Sequence, residues 1–524
     1  MTTESAATSY IGPRRSVRDL AEVMLLCLIL LLAAHLRLTN VADNPGWYTD
    51  EATHVDIANH RLEGHTRYML ITDSTLLFAR LPLFHILLAG FYQLSANPDH
   101  MEALRTLTAL LGVGSVGLLY AAVRPSGGRA LALLAALMLA MFPQAVLYSR
   151  FGFSYNLLTP FILLMLLGLE RYLAGKHPAW LGLAAVMLGL CLVTEVWSLA
   201  LLLPFILSAA YRPRHLLWAL PFAALPLLIY ALSLLASAPE AFGYDLSFTL
   251  SRLGGGRSLA EQWAILLNNY QVLLDNGFWI LAGVIGLFTL RPGRLRWLAL
   301  LCFTLPLISI GRSNALYSLS AYYMIPLLPL VALGVAGLIR YGGTALMQAA
   351  REFVPGPPRL QPIAAWVVAG GMLLFLAGAP LVASLQSTLT FVQQGYVTDI
   401  DAFLIDPAEA RRVAAFINSR VNANDVVVAS PVVGWQFEGN PVDFQMVVAA
   451  ADRVATPHLP ADLPPARLAF DPDYRLARFV VMDDLWRNWG VVHIPGLSQM
   501  VEEVQSNWPL VYSEGQFNIY ENPF

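Results

Sequence analysis

Apolar runs of about 20 residues, the length needed to cross roughly 30 Å of hydrocarbon, recur along most of the chain. They predict about eleven membrane-spanning helices, over 20–38, 105–123, 130–147, 157–174, 179–194, 196–211, 215–235, 272–290, 297–311, 321–340 and 362–384. Residues 179–211 read as a tight helical hairpin. The first run follows Arg14, Arg15 and Arg18, as a signal peptide would. It is too long for one and ends in His35-Leu36-Arg37 without a small-residue cleavage site, so it reads as an uncleaved anchor. A shorter run, 82–95, would move every later loop to the other side if it crossed. It reads instead as a helix lying in the outer interface, with Pro82 in its first turn.

The polar segments between the runs alternate in basicity. Arg14, Arg15 and Arg18, with the short turns holding Arg124/Arg129, Arg171/Lys176, Arg212/Arg214, Arg291/Arg294/Arg296 and Arg340/Arg351/Arg359, place fifteen basic residues on one side. The opposite loops carry nine: Arg37, Arg61, Arg67, Arg80, Arg105, Arg150, Arg252, Arg257 and Arg312. Short cytoplasmic loops gather Lys and Arg. The expectation is therefore a multi-pass protein of the plasma (inner) membrane with a cytoplasmic N-terminus and an outward-facing C-terminal part.

Two outer loops are long, 39–104 and 236–271. The first holds Trp47, Tyr48, Phe84, Phe91 and Tyr92, which favours a structured, functional loop over a loose connection. Gly254-Gly255-Gly256 in the second reads as a flexible hinge. From about 400 the pattern changes. Residues 407–421 show a helical apolar stripe (Val413, Phe416, Ile417, Val421), 425–430 and 479–482 read as strands, 495–507 as a helix, and a hairpin turns near Gly515. The predicted fold is mainly α: a polytopic membrane helix bundle over 1–385, followed by a small extracytoplasmic α/β domain over 386–524.

Composition agrees. The 524 residues are 57% hydrophobic and only 13% charged, against about 25% charged in soluble domains. A net charge of −3 gives no sign of a nucleic-acid partner. Cys27, Cys191 and Cys302 all lie in apolar runs, so neither a disulfide framework nor a CxxC metal motif is present.

Trp47-Tyr48-Thr49-Asp50-Glu51-Ala52 carries the strongest chemical signal. Residues 50–63 read as a helix with stripe Ala52, Val55, Ala58 and Leu62 and a stop at Gly64. Asp50 and Glu51 then occupy its first turn, where the helix dipole and capping favour carboxylates for purely structural reasons. The functional alternative is a general base at the membrane surface. His54, four residues on, shares a face with Asp50 and makes the two a candidate metal pair. A divalent metal is compatible with the sequence and not required by it; the cofactor is unknown. Arg80, Arg105, Arg150, Arg257 and Arg312 each read either as snorkelling cations or, converging on one outward hollow, as phosphate ligands.

In their order and sidedness, these features resemble the GT-C superfamily of membrane glycosyltransferases, near the protein mannosyltransferases and lipid A aminoarabinose transferases. The resemblance rests on Asp50-Glu51 after the first span, Arg80-Leu81-Pro82-Leu83 in place of Lys-Pro-Pro-Leu, and Arg105 at the second span. Tyr148-Ser149-Arg150 in the next outer loop and Tyr322-Tyr323-Met324-Ile325-Pro326-Leu327-Leu328-Pro329 late in the chain complete it. It implies an enzyme that moves a sugar from a polyprenyl-phosphate carrier to an acceptor hydroxyl of a protein, lipid or glycan outside the cytoplasm, usually with inversion. It also implies Asp50 as the base, Glu51 in support, Arg80, Arg105, Arg150 and Arg312 around the donor phosphate, and Trp47, Tyr48, Tyr155 and Tyr322 lining the substrate cavity. Two positions depart from the pattern. Tyr155 stands where many relatives carry an aspartate, which removes a second metal ligand, and Glu195 stands where some carry a lysine. The competing readings are a transporter or lipid flippase, which would place ionisable groups at mid-membrane, and a non-catalytic membrane scaffold.

Overall fold

The computed structural model describes residues 17–254, 278–311, 321–353, 360–396 and 403–524, with a few more between 258 and 264. Arg257 and Arg312 lie outside the described residues.

The chain opens with α1 (Val17–Leu38), α2 (Thr49–Leu62), α3 (Pro82–Ser95) and α4 (His100–Met141). α4 is two spans in one: it reverses at Gly128, whose φ of 80° suits a residue without a Cβ. The contacts with α1 show the reversal. Glu22, near the start of α1, meets Tyr120, Arg124 and Arg129. Arg37, near its end, donates to the carbonyls of Leu139 and Ala140 at 2.9 and 2.8 Å and lies against Gly112. The Leu139 carbonyl needs a donor because Pro143, at the first position of the next helix, has no N–H to return to it.

The same reasoning orders the rest of the bundle. Ser126 and Arg294 meet at Glu170, Arg340 donates to Gly127 O at 3.1 Å, and Lys176 meets Tyr211. The basic turns of 124–129, 170–176, 211–215 and 291–296 thus share one end of the bundle. Asp50, Arg80, Arg105, Arg150 and Glu195 lie at the other. Helices Phe278–Thr289 and Leu328–Phe353 cross backbone to backbone, where a Cβ on Gly286 would meet Gly334 O at 1.9 Å.

At the Asp50 end sits a five-stranded sheet in order β4-β3-β5-β7-β6. β3 (Val426–Val428) runs parallel to β4 (Asn440–Val442) and β5 (Phe479–Met482); β7 (Phe517–Glu521) and β6 (Leu510–Glu514) are antiparallel. Its core is not its own. Tyr68, Met69, Leu70 and Ile71, from a small ribbon of β1 (Arg67–Tyr68) and β2 (Ile71–Thr72), enter the same apolar cluster as Val428, Val442 and Val480. Trp47 and Ile405 exchange backbone hydrogen bonds at 2.9 and 3.0 Å.

Three expectations change. The second outer loop holds a helix, Pro239–Gly254, whose Asp245 is buried against Arg467 of the α/β part. Gly254 ends that helix, and Gly255 and Gly256 lie outside the described residues. The last apolar run continues as helix to Gln393, past the 385 boundary, because hydropathy falls before the helical backbone ends.

Candidate functional site

The site grows from the start of α2. Tyr48 is the N-cap, and its backbone N–H donates to Glu51 Oε2 at 3.0 Å, so Glu51 fills the capping position at the third residue of the helix. Glu51 does more than cap. Arg105 binds it through two N–H groups, Nε to Oε1 at 2.8 Å and Nη2 to Oε2 at 2.6 Å, and Gly152 N donates to Oε1 at 2.7 Å. Both side chains are 0% exposed. Arg105 also donates to the carbonyls of Pro45 and Gly46 at 2.6 and 2.7 Å. A buried charge pair is tolerated only when each remaining valence is met, and here the first outer loop is wound around the guanidinium to meet them. Arg150 acts likewise: fully buried, it donates to carbonyls of Leu36, Arg37, Asn40 and Asn44.

Asp50 is one residue away and differently placed. Its side chain is 30% exposed, and Oδ1 accepts from Arg80 Nη2 at 2.9 Å. Burial opposes the charge on Arg80, but Asp50, with Tyr155, Glu195 and Tyr323 behind it, raises the affinity of the guanidinium for its proton. Glu195 lies in the connection Val193–Glu195 between two apolar helices, bonded by Ser154 Oγ. Burial pushes its carboxyl up to about 7; Ser154 and Arg80 pull the other way.

Aromatic rings cluster beside this pair. Tyr322 stacks on Phe153 at 4.9 Å, Tyr155 meets Tyr323 edge-on at 5.3 Å, and Tyr48 reaches Phe153 and Tyr322 at 5.8 and 6.3 Å. Of the residues singled out from sequence, Asp50, Arg80, Tyr48, Tyr155 and Tyr322 therefore converge. Arg105 and Arg150 sit beneath them with their donors spent on protein. Trp47 turns away, buried against Trp435 with Arg411 over its ring. Arg312 is outside the described residues. Sequence reasoning treated Glu195 only as a departure and did not single out Ser154 or Tyr323 as site residues. An ionisable residue at the junction of two spans was the available signal for Glu195.

His54 pairs with His85 and not with Asp50. It is buried, with Nδ1 2.9 Å from His85 Nε2, while Asp50 pairs with Arg80. Burial and the nearby Arg80 hold His54 well below its ordinary range, so it is neutral. Among the described residues no group of three or more His, Cys, Asp or Glu is arranged to hold a metal ion. The pair Asp50/His54 therefore does not fit a metal site.

Comparison with known proteins bears on this arrangement. None of the curated proteins matches the chain by sequence. A family model described as dolichyl-phosphate-mannose-protein mannosyltransferase matches residues 80–239. ArnT from Cupriavidus metallidurans bound to undecaprenyl phosphate superposes with a TM-score of 0.60 at 15% identity, over 97% of this chain and 98% of that one; its apo form gives 0.62 over the same shares. The chain has the GT-C fold. The archaeal oligosaccharyltransferase AglB from Archaeoglobus fulgidus, in complex with an inhibitory peptide and a dolichol-phosphate, shares this GT-C architecture at a TM-score of 0.53 and 12% identity, over 91% of this chain and 71% of that one.

Proposed function

We propose that the chain is a glycosyltransferase that takes a sugar from a polyprenyl-phosphate carrier and passes it, with inversion, to an acceptor hydroxyl on the extracytoplasmic side. The observation that carries this reading is the Asp50–Arg80 pair. A part-exposed carboxylate and guanidinium, 2.9 Å apart, lie beside a cluster of aromatic rings and next to a buried Glu51–Arg105 clamp that fixes the start of α2. The neighbours ArnT and AglB, whose structures hold undecaprenyl phosphate and a dolichol-phosphate, support the choice of donor. The gathering of the basic turns at the opposite end supports a cytoplasmic placement of that end.

In this reading the pair is the resting state. A donor phosphate competes for Arg80, whose planar fork suits it. As Arg80 turns to the phosphate, Asp50 loses its partner and becomes free to accept a proton. The acceptor hydroxyl gives that proton to Asp50, and its oxygen bonds to the anomeric carbon. The bond from that carbon to the phosphate oxygen breaks, with its electron pair leaving on the carrier phosphate. Arg80 stabilises the charge that accumulates there. Arg105 and Arg150 act on the phosphate only indirectly, by holding the loop that carries Asp50. Tyr48, Tyr155 and Tyr322 supply the faces against which a sugar ring packs. Glu195, protonated below about 7, offers it a hydrogen-bond donor.

The test is to incubate the purified protein with a panel of radiolabelled polyprenyl-phosphate sugars and membrane extract. Transfer of one label to an extractable acceptor supports the proposal. Movement of intact lipid across vesicles, without transfer of any label, favours the flippase instead.

A further inference from the structure

At the end of the bundle opposite Asp50 lies a cavity of about 270 Å³, close to the roughly 300 Å³ lower end of small-ligand pockets. It is lined by Ser126 and Gly127, by the turn from Arg291 to Arg296, and by Arg340. Four arginines, Arg291, Arg294, Arg296 and Arg340, contribute to its walls. Among the described residues one carboxylate stands against them: Glu170, fully buried, held by Ser126 and 3.5 Å from Arg294. Arg340 spends one N–H on Gly127 O, and Arg296 Nε is buried with no hydrogen-bond partner among the described residues.

A bias of basic residues toward one side of a membrane does not account for this. Arg124 and Arg129, in the neighbouring turn at the same end, are each paired with Glu22 or Asp19. The cavity arginines are left in excess of negative charge and converge on a hollow instead. The helix Arg294–Gly311 also begins at its wall, directing free backbone N–H groups and the positive end of its dipole there. Trp297 and Tyr341, 61% and 58% exposed, flank the arginines. Exposed Trp and Tyr mark the headgroup level of a bilayer.

We propose that this cavity is a second anion site that takes a phosphate group, distinct from the donor site around Arg80. The flanking aromatic residues favour the phosphodiester of an anionic membrane lipid, although a water-soluble phosphate compound has the same chemistry.

Full-length protein in neutral detergent, offered equal amounts of phosphatidylglycerol and phosphatidylcholine, is read by native mass spectrometry. A parallel thermal-unfolding titration uses inorganic phosphate. Selective retention of phosphatidylglycerol identifies the lipid as the source. A rise in Tm with phosphate, without lipid selectivity, identifies the soluble one. In either case Arg291→Gln/Arg296→Gln weakens binding by about fivefold per arginine removed, the effect of one basic group at a membrane surface. Equal retention of both lipids with no response to phosphate, or binding unaltered in Arg291→Gln/Arg296→Gln, overturns the proposal. Should the double variant not fold, Arg291→Gln alone, at an exposed side chain, carries the same comparison.

Discussion

Asp50 and Glu51 are neighbours in the chain, and each faces an arginine, yet they belong to different regimes. Glu51 and Arg105 are sealed from solvent, joined by two hydrogen bonds, and every remaining valence is met by backbone. Asp50 and Arg80 share one contact and are 30% and 19% exposed. A sealed pair cannot exchange partners without leaving a bare charge in a dry interior, which costs several kcal/mol. The part-exposed pair shares a single contact and keeps access to solvent, so an incoming phosphate displaces it at less cost. One turn of helix thus places a fixed element beside an exchangeable one, and the proposed chemistry uses the second.

Removing the exchangeable carboxylate has the largest expected effect. Asp50→Asn lowers transfer by roughly 10²–10⁴-fold, the usual worth of a positioned base, and leaves Tm within a degree or two; a transfer assay beside a melting curve checks both. Arg80→Ala follows, with about a 10²–10³-fold loss of kcat that Arg80→Lys partly restores. Arg105→Ala strikes the sealed pair instead and costs about 3–5 kcal/mol of stability by stranding Glu51, seen as lost expression or a large fall in Tm. If Arg105→Ala folds normally and loses only activity, the division between the two pairs is wrong.

The smallest effect concerns pH. Burial raises the Glu195 carboxyl from its ordinary 4.5 to about 7. Between those values the folded chain holds a proton that the unfolded chain has released. Stability is therefore greatest below the lower value and declines as pH rises through the upper one. Glu195→Gln removes that slope from a series of melting curves between pH 4 and 8. A slope that survives the substitution assigns the titration to another group.

Much of this arrangement was legible in the sequence, for physical reasons. Hydrophobic runs must be long to cross a bilayer, so helices such as Val17–Leu38 and Tyr155–Gly175 announce themselves. The α2 boundaries were nearly right because Gly64, with φ of 85°, is a strong stop. Of the two readings of the acidic pair, capping describes Glu51, while exposure beside Arg80 sets Asp50 apart. Sequence spacing could not separate them, because adjacent residues on a helix point in different directions and only the fold decides which side is sealed. The buried roles of Arg105 and Arg150 were illegible for the same reason, since the groups that hold Arg150, and that complete the bonding of Arg105 beside Glu51, are backbone carbonyls that no pattern of residue types reveals. The helix Pro239–Gly254 was missed because its contact with Arg467 spans 222 residues.

The most direct test of the claim that the donor phosphate takes Arg80 from Asp50 is the affinity of Asp50→Asn for a polyprenyl phosphate. Without its carboxylate partner Arg80 is free beforehand, so the variant binds about two- to fivefold more tightly than the wild type, although its transfer is roughly 10²–10⁴-fold slower. Weaker binding by Asp50→Asn would contradict the account, because it would make Asp50 part of what holds the phosphate.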